Sequence, residues 1–196
     1  MARLSVVNFQ SLDGVIQSVL SPDEDRDGGF VHGGWVLPYT DEAVADFMQR
    51  QTVAAGGLLL GRRTYEAFAM VWPFADQSEP AVAAMNRIPK YVASTTLTET
   101  SWAGTVVLGR DVPADVARLK EQSGDDLVVF GSSVLLGTLL AHGLVDMLHL
   151  LTFPIILGSG KRMFSDLPTP LRFGLTGMTA TASGVVIQSY SAEARD

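Results

Sequence analysis

The sequence predicts an α/β fold: a single domain with a central, mostly parallel sheet, helices on both faces and an antiparallel C-terminal edge. Three observations carry this. Strand-like and helix-like segments alternate from Leu4 to Gly143, and only strand-like segments follow. Leu127-Val128-Val129-Phe130 is apolar without alternation, as a strand covered on both faces must be. The last two strands meet at Ala182-Ser183-Gly184, which reads as a hairpin connection. At 196 residues the chain can bury a full core, and neither a repeat nor a linker divides it, so residues 1–196 read as one domain.

Composition narrows the function. The 47% hydrophobic content fits a packed globular core and argues against disorder. The chain has no cysteine, which excludes disulfides, thiolate metal sites and a cysteine nucleophile. The formal net charge of -7 opposes nucleic acid and anionic membranes, so an anionic ligand needs a local cluster of cations. Met1 to Val6 runs straight into a strand without the apolar core of a signal peptide. The most apolar stretch, Leu135 to Leu157, is interrupted by His142, Asp146, His149 and Pro154, and is not expected to span a bilayer. A soluble cytoplasmic protein is expected.

Leu4 to Phe9 reads as the first strand, and Ser11-Leu12-Asp13-Gly14 as the turn that ends it. Asp13 reads there either as turn chemistry or as a ligand group. Residues 20–38 carry charges, glycines and Trp35, which suggests a lid-like insertion. Trp35 is then a pocket aromatic or simply a plug in the core. Asp23, Asp25 and Asp27 alternate like the start of a calcium loop, but Gly28 is misplaced and the closing glutamate is missing. Thr40 is the expected N-cap of an amphipathic helix over 41–55, with Asp41 and Glu42 in its first turn.

Leu58-Leu59-Leu60 is a short central strand, followed by a helix opened by Arg63 and broken at Trp72-Pro73. A short helix from Pro80 to Arg87 precedes a strand over Lys90 to Ser94. Thr105 to Leu108 is a strand, 113–122 a helix, and Leu127 to Phe130 a buried strand. A helix carrying Leu135, Leu136, Leu139 and Leu140 stops at Gly143. Val145 to Ile156 is a long strand, broken near Pro154, and Leu171–Thr179 and Gly184–Ser191 complete the sheet.

In parallel sheets ligands bind at the carboxyl ends of the strands. Three strand ends here carry donor-rich sequences: Gly61-Arg62-Arg63-Thr64, Ser94-Thr95-Thr96 and Gly131-Ser132-Ser133. Helix-start N–H groups hold anions, and arginine adds a planar fork suited to phosphate. Each run alone is what helix capping would also select. Three at one end of a sheet point to a phosphate-bearing ligand. Neither G-x-G-x-x-G nor G-x-x-x-x-G-K-[ST] occurs. No pair of histidines has metal-ligand spacing, so no metal is expected. His149, in an apolar strand, reads as a packed core residue.

Across nearly its whole length the chain resembles the dihydrofolate-reductase-like family, and within it the reductase domain of the bacterial riboflavin-biosynthesis deaminase/reductase. The segments that carry the resemblance are Ser11-Leu12-Asp13-Gly14, Gly61-Arg62-Arg63-Thr64-Tyr65, Phe130-Gly131-Ser132-Ser133-Val134-Leu135, Gly143-Leu144-Val145-Asp146 and Pro154-Ile155-Ile156-Leu157-Gly158-Ser159-Gly160, in the family's order. The resemblance implies an NADPH-dependent oxidoreductase. It implies that Gly61 and Thr64 lie at the pyrophosphate, with Arg62 and Arg63 near the phosphates and one of them near the 2′-phosphate. Ser94, Thr95 and Thr96 would flank the adenosine half. Gly131, Ser132, Ser133 and Val134 would offer backbone N–H groups to the pyrophosphate, with Leu135 packed nearby.

Two departures separate the chain from folate reductases. Gly131-Ser132 stands where those enzymes have a Gly-Gly pair joined by a cis peptide. The helix carboxylate that faces their pterin has no clear equivalent: Asp46 is nearest, Asp41 and Glu42 compete, and all three also read as solvated charges. The implied substrate is a small heterocycle, most specifically 5-amino-6-(5-phosphoribosylamino)uracil, with a dihydrofolate or pterin as an alternative. A dinucleotide-binding module or sensor without turnover is a further alternative. Asp13, Trp35, Asp46 and Phe47 are the substrate-pocket candidates, and no proton donor is assigned. The family also suggests a homodimer joined through the C-terminal strands.

Overall fold

A computed structural model describes residues 1–122, 124–164, 167 and 169–193. Eight strands form one sheet: β1 (Leu4–Ser11), β2 (Gly57–Gly61), β3 (Lys90–Ala93), β4 (Thr105–Val107), β5 (Leu127–Phe130), β6 (Met147–Phe153), β7 (Phe173–Ala180) and β8 (Val186–Ala192). Among the described residues five α-helices accompany them: α1 (Glu42–Ala54), α2 (Arg62–Ala69), α3 (Pro80–Arg87), α4 (Val112–Gln122) and α5 (Ser133–Ala141). The strand order is β4-β3-β2-β5-β1-β6-β8-β7. Strands β1 to β6 pair with one another in parallel, while β8 runs antiparallel to both β6 and β7. The α/β class and the antiparallel C-terminal edge are as the alternation predicts.

Strand periodicity divides the core between the two faces of the sheet. Val7, Leu58, Leu60, Val128, Phe130 and Leu151 meet Val44 of α1, Tyr65 of α2 and Met85 of α3. Leu4, Leu59, Leu127, Val129, Leu148 and Leu150 turn the other way, against Val116 of α4 and the leucines of α5. Because β5 is covered on both faces, all four of its residues are buried. Its unbroken apolar run follows from that.

Three local expectations are corrected. The N-cap of α1 is Asp41, whose carboxylate accepts from the Val44 amide at 3.0 Å and from the Ser183 amide at 3.0 Å. Thr40 instead donates its hydroxyl to the Val36 carbonyl, so the second anchor to the β7–β8 hairpin decides the cap. Helix α2 starts at Arg62, directly on the end of β2, one residue before Arg63. Strand β6 is Met147–Phe153, shorter than Val145 to Ile156: the break expected near Pro154 ends it, because Pro154 cannot donate to the ladder.

The 20–38 segment holds two short 3-10 turns, at Asp27–Gly29 and Leu37–Tyr39. It is docked on the body of the protein. Buried Gln17 gives its amide to the carbonyls of Asp25 and Asp27, both at 3.0 Å, and accepts from the Lys161 amide at 2.9 Å. Trp35 donates its indole N–H to the Gln17 carbonyl at 2.9 Å and packs edge-on against Phe153, with ring centroids 5.5 Å apart. Of the two sequence readings of Trp35, the core plug describes its position, and no exposed lid aromatic is formed.

Candidate functional site

Strand β2 pairs in parallel with β3 on one side and with β5 on the other, so their carboxyl ends lie side by side. The three donor-rich sequence runs therefore come together at one edge of the sheet. The link between two of them is a side chain. Ser132 Oγ accepts from the Gly61 amide at 2.9 Å and donates to Thr64 Oγ1 at 3.0 Å, across about seventy residues of sequence. The starts of α2 and α5 are thus joined at their first turns.

Ser132 holds an uncommon backbone. It has φ +59°, one of two non-glycine positive values among the described residues, and Gly131 before it has φ +60°. A left-handed serine costs on the order of 1 kcal/mol and persists only where its surroundings hold it. Ser132's own hydroxyl contacts are one such hold. The other is Asn8 on β1, a buried residue that sequence reasoning missed. Asn8 Oδ1 accepts from the Gly131 amide at 2.6 Å, and Asn8 Nδ2 donates to the Gly131 carbonyl at 3.2 Å.

These contacts refine the roles expected of the glycines. The N–H groups of Gly61 and Gly131 are already engaged by Ser132 and Asn8, so neither glycine offers its amide to a ligand in this arrangement. Both instead allow close approach: a Cβ on Gly61 would lie 3.4 Å from Ser132 Oγ, and one on Gly131 would lie 3.4 Å from Thr64 Oγ1. The donors that can face an anion are the first-turn amides of Arg62, Arg63 and Thr64 on α2 and of Ser133, Val134 and Leu135 on α5. Such groups have no partner within their own helix. The Val134 side chain is 87% exposed beside them, while Leu135 is buried in the core.

The cations at this edge are held in ion pairs. Arg62 reaches Glu66 one turn along α2, Nη1 to Oε1 2.9 Å. Arg63 pairs with the Asp27 carboxylate of the 20–38 segment. Lys161 Nζ also meets Asp27, at 2.8 Å, and Asp25 at 2.5 Å. Hydrogen bonds from Lys161 and Arg63 hold the Asp27 carboxyl down at about 2, and the Asp27 contact raises the Arg63 guanidinium. Sequence spacing gave no sign of these long-range pairs. At the third strand end, Ser94 Oγ accepts from the Thr96 and Leu97 amides at 3.1 and 2.9 Å, so it shapes its own turn. Thr95 and Thr96 are exposed beyond it.

The four substrate-pocket candidates do not converge. Asp13 brackets the loop after β6: its carboxylate accepts from Ser11 Oγ at 2.6 Å and from the Leu157 and Gly158 amides at 3.1 and 3.0 Å. Those hydrogen bonds lower its pKa, and its carbonyl accepts from Arg162. Asp46 and Phe47 border a separate shallow groove of about 260 Å³ between α1 and the antiparallel edge, shared with Arg50, Met178, Thr179 and Ser189. Behind Phe47 lies His149, whose Nδ1 is 2.8 Å from Ser189 Oγ and whose pKa is lowered by burial. Trp35 is in the core, as described. A second hollow of about 290 Å³ lies between the 20–38 segment and the loop after β6, lined by Gln17, Asp27, Gly28, Phe30, Gly160 and Lys161.

Among the described residues no group of three or more histidines or carboxylates is placed to hold a metal ion, and no helix is long and apolar enough to cross a membrane.

Residues 3–187 match the family model described as RibD C-terminal domain. The chain is 25% identical over 166 residues to uncharacterized protein YyaP of Bacillus subtilis (strain 168), covering 81% of this chain and 86% of that one. Among solved structures, it resembles a Shewanella sp. PV-4 protein provisionally named a riboflavin biosynthesis protein, with a TM-score of 0.68 at 20% identity over 99% of this chain and 100% of that one. It also resembles Enterococcus faecalis dihydrofolate reductase complexed with NADP(H), with a TM-score of 0.65 at 15% identity over 98% and 97% of the two chains.

Proposed function

Because this chain belongs to the RibD C-terminal domain family, we propose that it is an NADPH-dependent reductase acting on a small heterocyclic substrate. The observation that carries this reading is the Ser132 bridge, which locks two helix N-termini side by side at the carboxyl edge of a parallel sheet. Two adjacent sets of first-turn amides, with Arg62 and Arg63 beside them, suit a pyrophosphate in a protein whose net charge would otherwise repel it. The presence of NADP(H) in the Enterococcus faecalis enzyme of similar fold supports this choice of dinucleotide.

The residues present fit the group. Thr64 and the amides of α2 would hold one phosphate, and the amides of Ser133, Val134 and Leu135 the other. Arg62 and Arg63 would meet the remaining phosphate charge, the 2′-phosphate included, and Thr95 and Thr96 would flank the adenosine half. Bound there, the nicotinamide supplies hydride, while the protein supplies orientation and electrostatics. Asn8 and Ser132 fix the cradle before any ligand arrives. By family resemblance the substrate is 5-amino-6-(5-phosphoribosylamino)uracil or a related heterocycle, with pterins as the alternative.

A dinucleotide-binding module without turnover is the second reading. The separation of Asp13 and Trp35 from the groove that Asp46 and Phe47 share favours it, since the four candidates do not line one pocket. NADPH oxidation measured with pterins, pyrimidines, quinones and carbonyl compounds separates the two. Turnover with one class supports the reductase; tight NADPH binding with no accelerated oxidation supports the module.

A further inference from the structure

The acidic run at Asp23, Asp25 and Asp27 fails as a calcium loop, yet its last member sits on a cation of the candidate phosphate site. We propose that Asp27 is a built-in competitor for Arg63: its carboxylate holds the guanidinium when no dinucleotide is bound, and a ligand phosphate must displace it. This rests on the dinucleotide reading above.

Four features support the competition. Asp27 is presented by an anchored backbone, since its carbonyl accepts from buried Gln17 at 3.0 Å and the turn continues through Gly28 with φ +69°. Arg63 lies in the first turn of α2, one residue before Thr64, which is joined to Ser132. Arg63 therefore belongs to the same helix turn as the amides that suit a phosphate. Lys161, the other partner of Asp27, also holds Asp25 at 2.5 Å, so it stays paired whichever anion Arg63 takes. Arg62 is tied to Glu66 on its own helix, which leaves Arg63 as the arginine whose partner comes from another segment.

Displacement exchanges one carboxylate for one phosphate on the same guanidinium. The Asp27 contact also ties the 20–38 segment to the start of α2, so releasing it loosens that segment. Both side chains are about half or more exposed, 49% for Asp27 and 64% for Arg63, and exposed pairs are weak. The competition therefore changes affinity by a small factor and fades as salt screens it.

The test is calorimetric titration of Asp27→Asn and wild type with NADPH and NADH, at low and high salt. Asp25→Asn, which removes equal charge but leaves Arg63 in contact with Asp27, is the control. The expected result is NADPH binding tightened about two- to five-fold by Asp27→Asn, a smaller change for Asp25→Asn, and a difference that shrinks at high salt. Hydrogen exchange of amides in 24–29 is expected to rise when NADPH binds the wild type. Unchanged or weaker NADPH binding by Asp27→Asn overturns the proposal, as does equal tightening by both variants, which would report net charge alone. No NADPH binding by wild type or variant overturns the dinucleotide reading and this proposal with it, whereas normal wild-type binding with no effect of Asp27→Asn overturns this proposal alone.

Discussion

Ser132 Oγ lies 2.9 Å from the Gly61 amide, so a side chain of the β5–α5 turn satisfies the backbone of the β2–α2 turn. The two turns are one unit. Ser132→Ala leaves the Gly61 amide and the Thr64 hydroxyl short of a partner, and is expected to destabilise the fold by about 1 kcal/mol. NADPH binding is expected to weaken about three- to ten-fold, since the cradle loses its link. Ser132→Gly removes the same link but relieves the left-handed backbone. It should bind NADPH as poorly as the alanine variant while recovering part of the stability. Urea unfolding read beside NADPH titration separates the two effects.

Arg62 and Arg63 set the preference between cofactors. Replacing both by alanine removes charged, hydrogen-bonding partners and should cost on the order of 1.5–3 kcal/mol of NADPH binding if one of them meets the 2′-phosphate. NADH binding should fall less. Equal losses would place the pair on the pyrophosphate alone. Titrations of the double variant with both cofactors decide between these outcomes.

Lys90 gives the fold a pH signature unrelated to ligand binding. Its side chain is wholly buried, gives Nζ to the carbonyls of Asn86 and Ala103 at 2.9 and 3.0 Å, and lies 4.4 Å from the Trp102 ring centroid. Burial pushes its pKa from 10.5 down to about 8. Between those two values the unfolded chain binds more protons than the folded one, so stability rises with pH across that window. The carbonyl contacts favour the charged amine and moderate the rise, which is expected to be on the order of 1–3 kcal/mol. Chemical denaturation from pH 7 upward should show it, and Lys90→Met should flatten the slope whatever it does to absolute stability.

Strand β7 ends the sheet, and its Leu175 and Met178 side chains are exposed on a strand with no charged residue. An edge of this kind invites pairing. We propose that a homodimer, as the family resemblance suggests, covers it with the same strand of a second copy. Sedimentation of the wild type is expected to give a dimer, and Met178→Lys to shift it towards monomer without loss of helical content. A wild-type monomer at micromolar concentration would contradict the proposal.

The parts of the fold legible in the sequence are those set by local pattern. The apolar run Leu127 to Phe130 and the Pro-initiated helix Pro80–Arg87 have their expected bounds. The three donor-rich strand ends follow from the alternation of strands and helices, because parallel strands place their carboxyl ends together. What escaped depends on contacts distant in sequence. Asn8 reads as one more residue of a strand until β5 lies beside β1 and brings Gly131 to its amide. Gln17 looks like a loop residue until the 20–38 segment folds over it, and the choice between the two readings of Trp35 waits on its indole reaching the Gln17 carbonyl. Asp27 suggests a failed metal loop because nothing in its spacing indicates Arg63, thirty-six positions away. The Thr40 cap was displaced for the same reason: Asp41 serves the helix and the distant Ser183 amide at once.

The central claim is that the joined starts of α2 and α5 hold a phosphorylated dinucleotide. Thermal unfolding of the wild-type protein with NADPH, NADH and no ligand tests it most directly, because a ligand that binds only the folded state raises the melting temperature, and the rise grows with the logarithm of its concentration over its dissociation constant. A rise with NADPH that exceeds the rise with NADH, and that Ser132→Ala diminishes, is the predicted result. No rise with either cofactor at large excess would contradict the account.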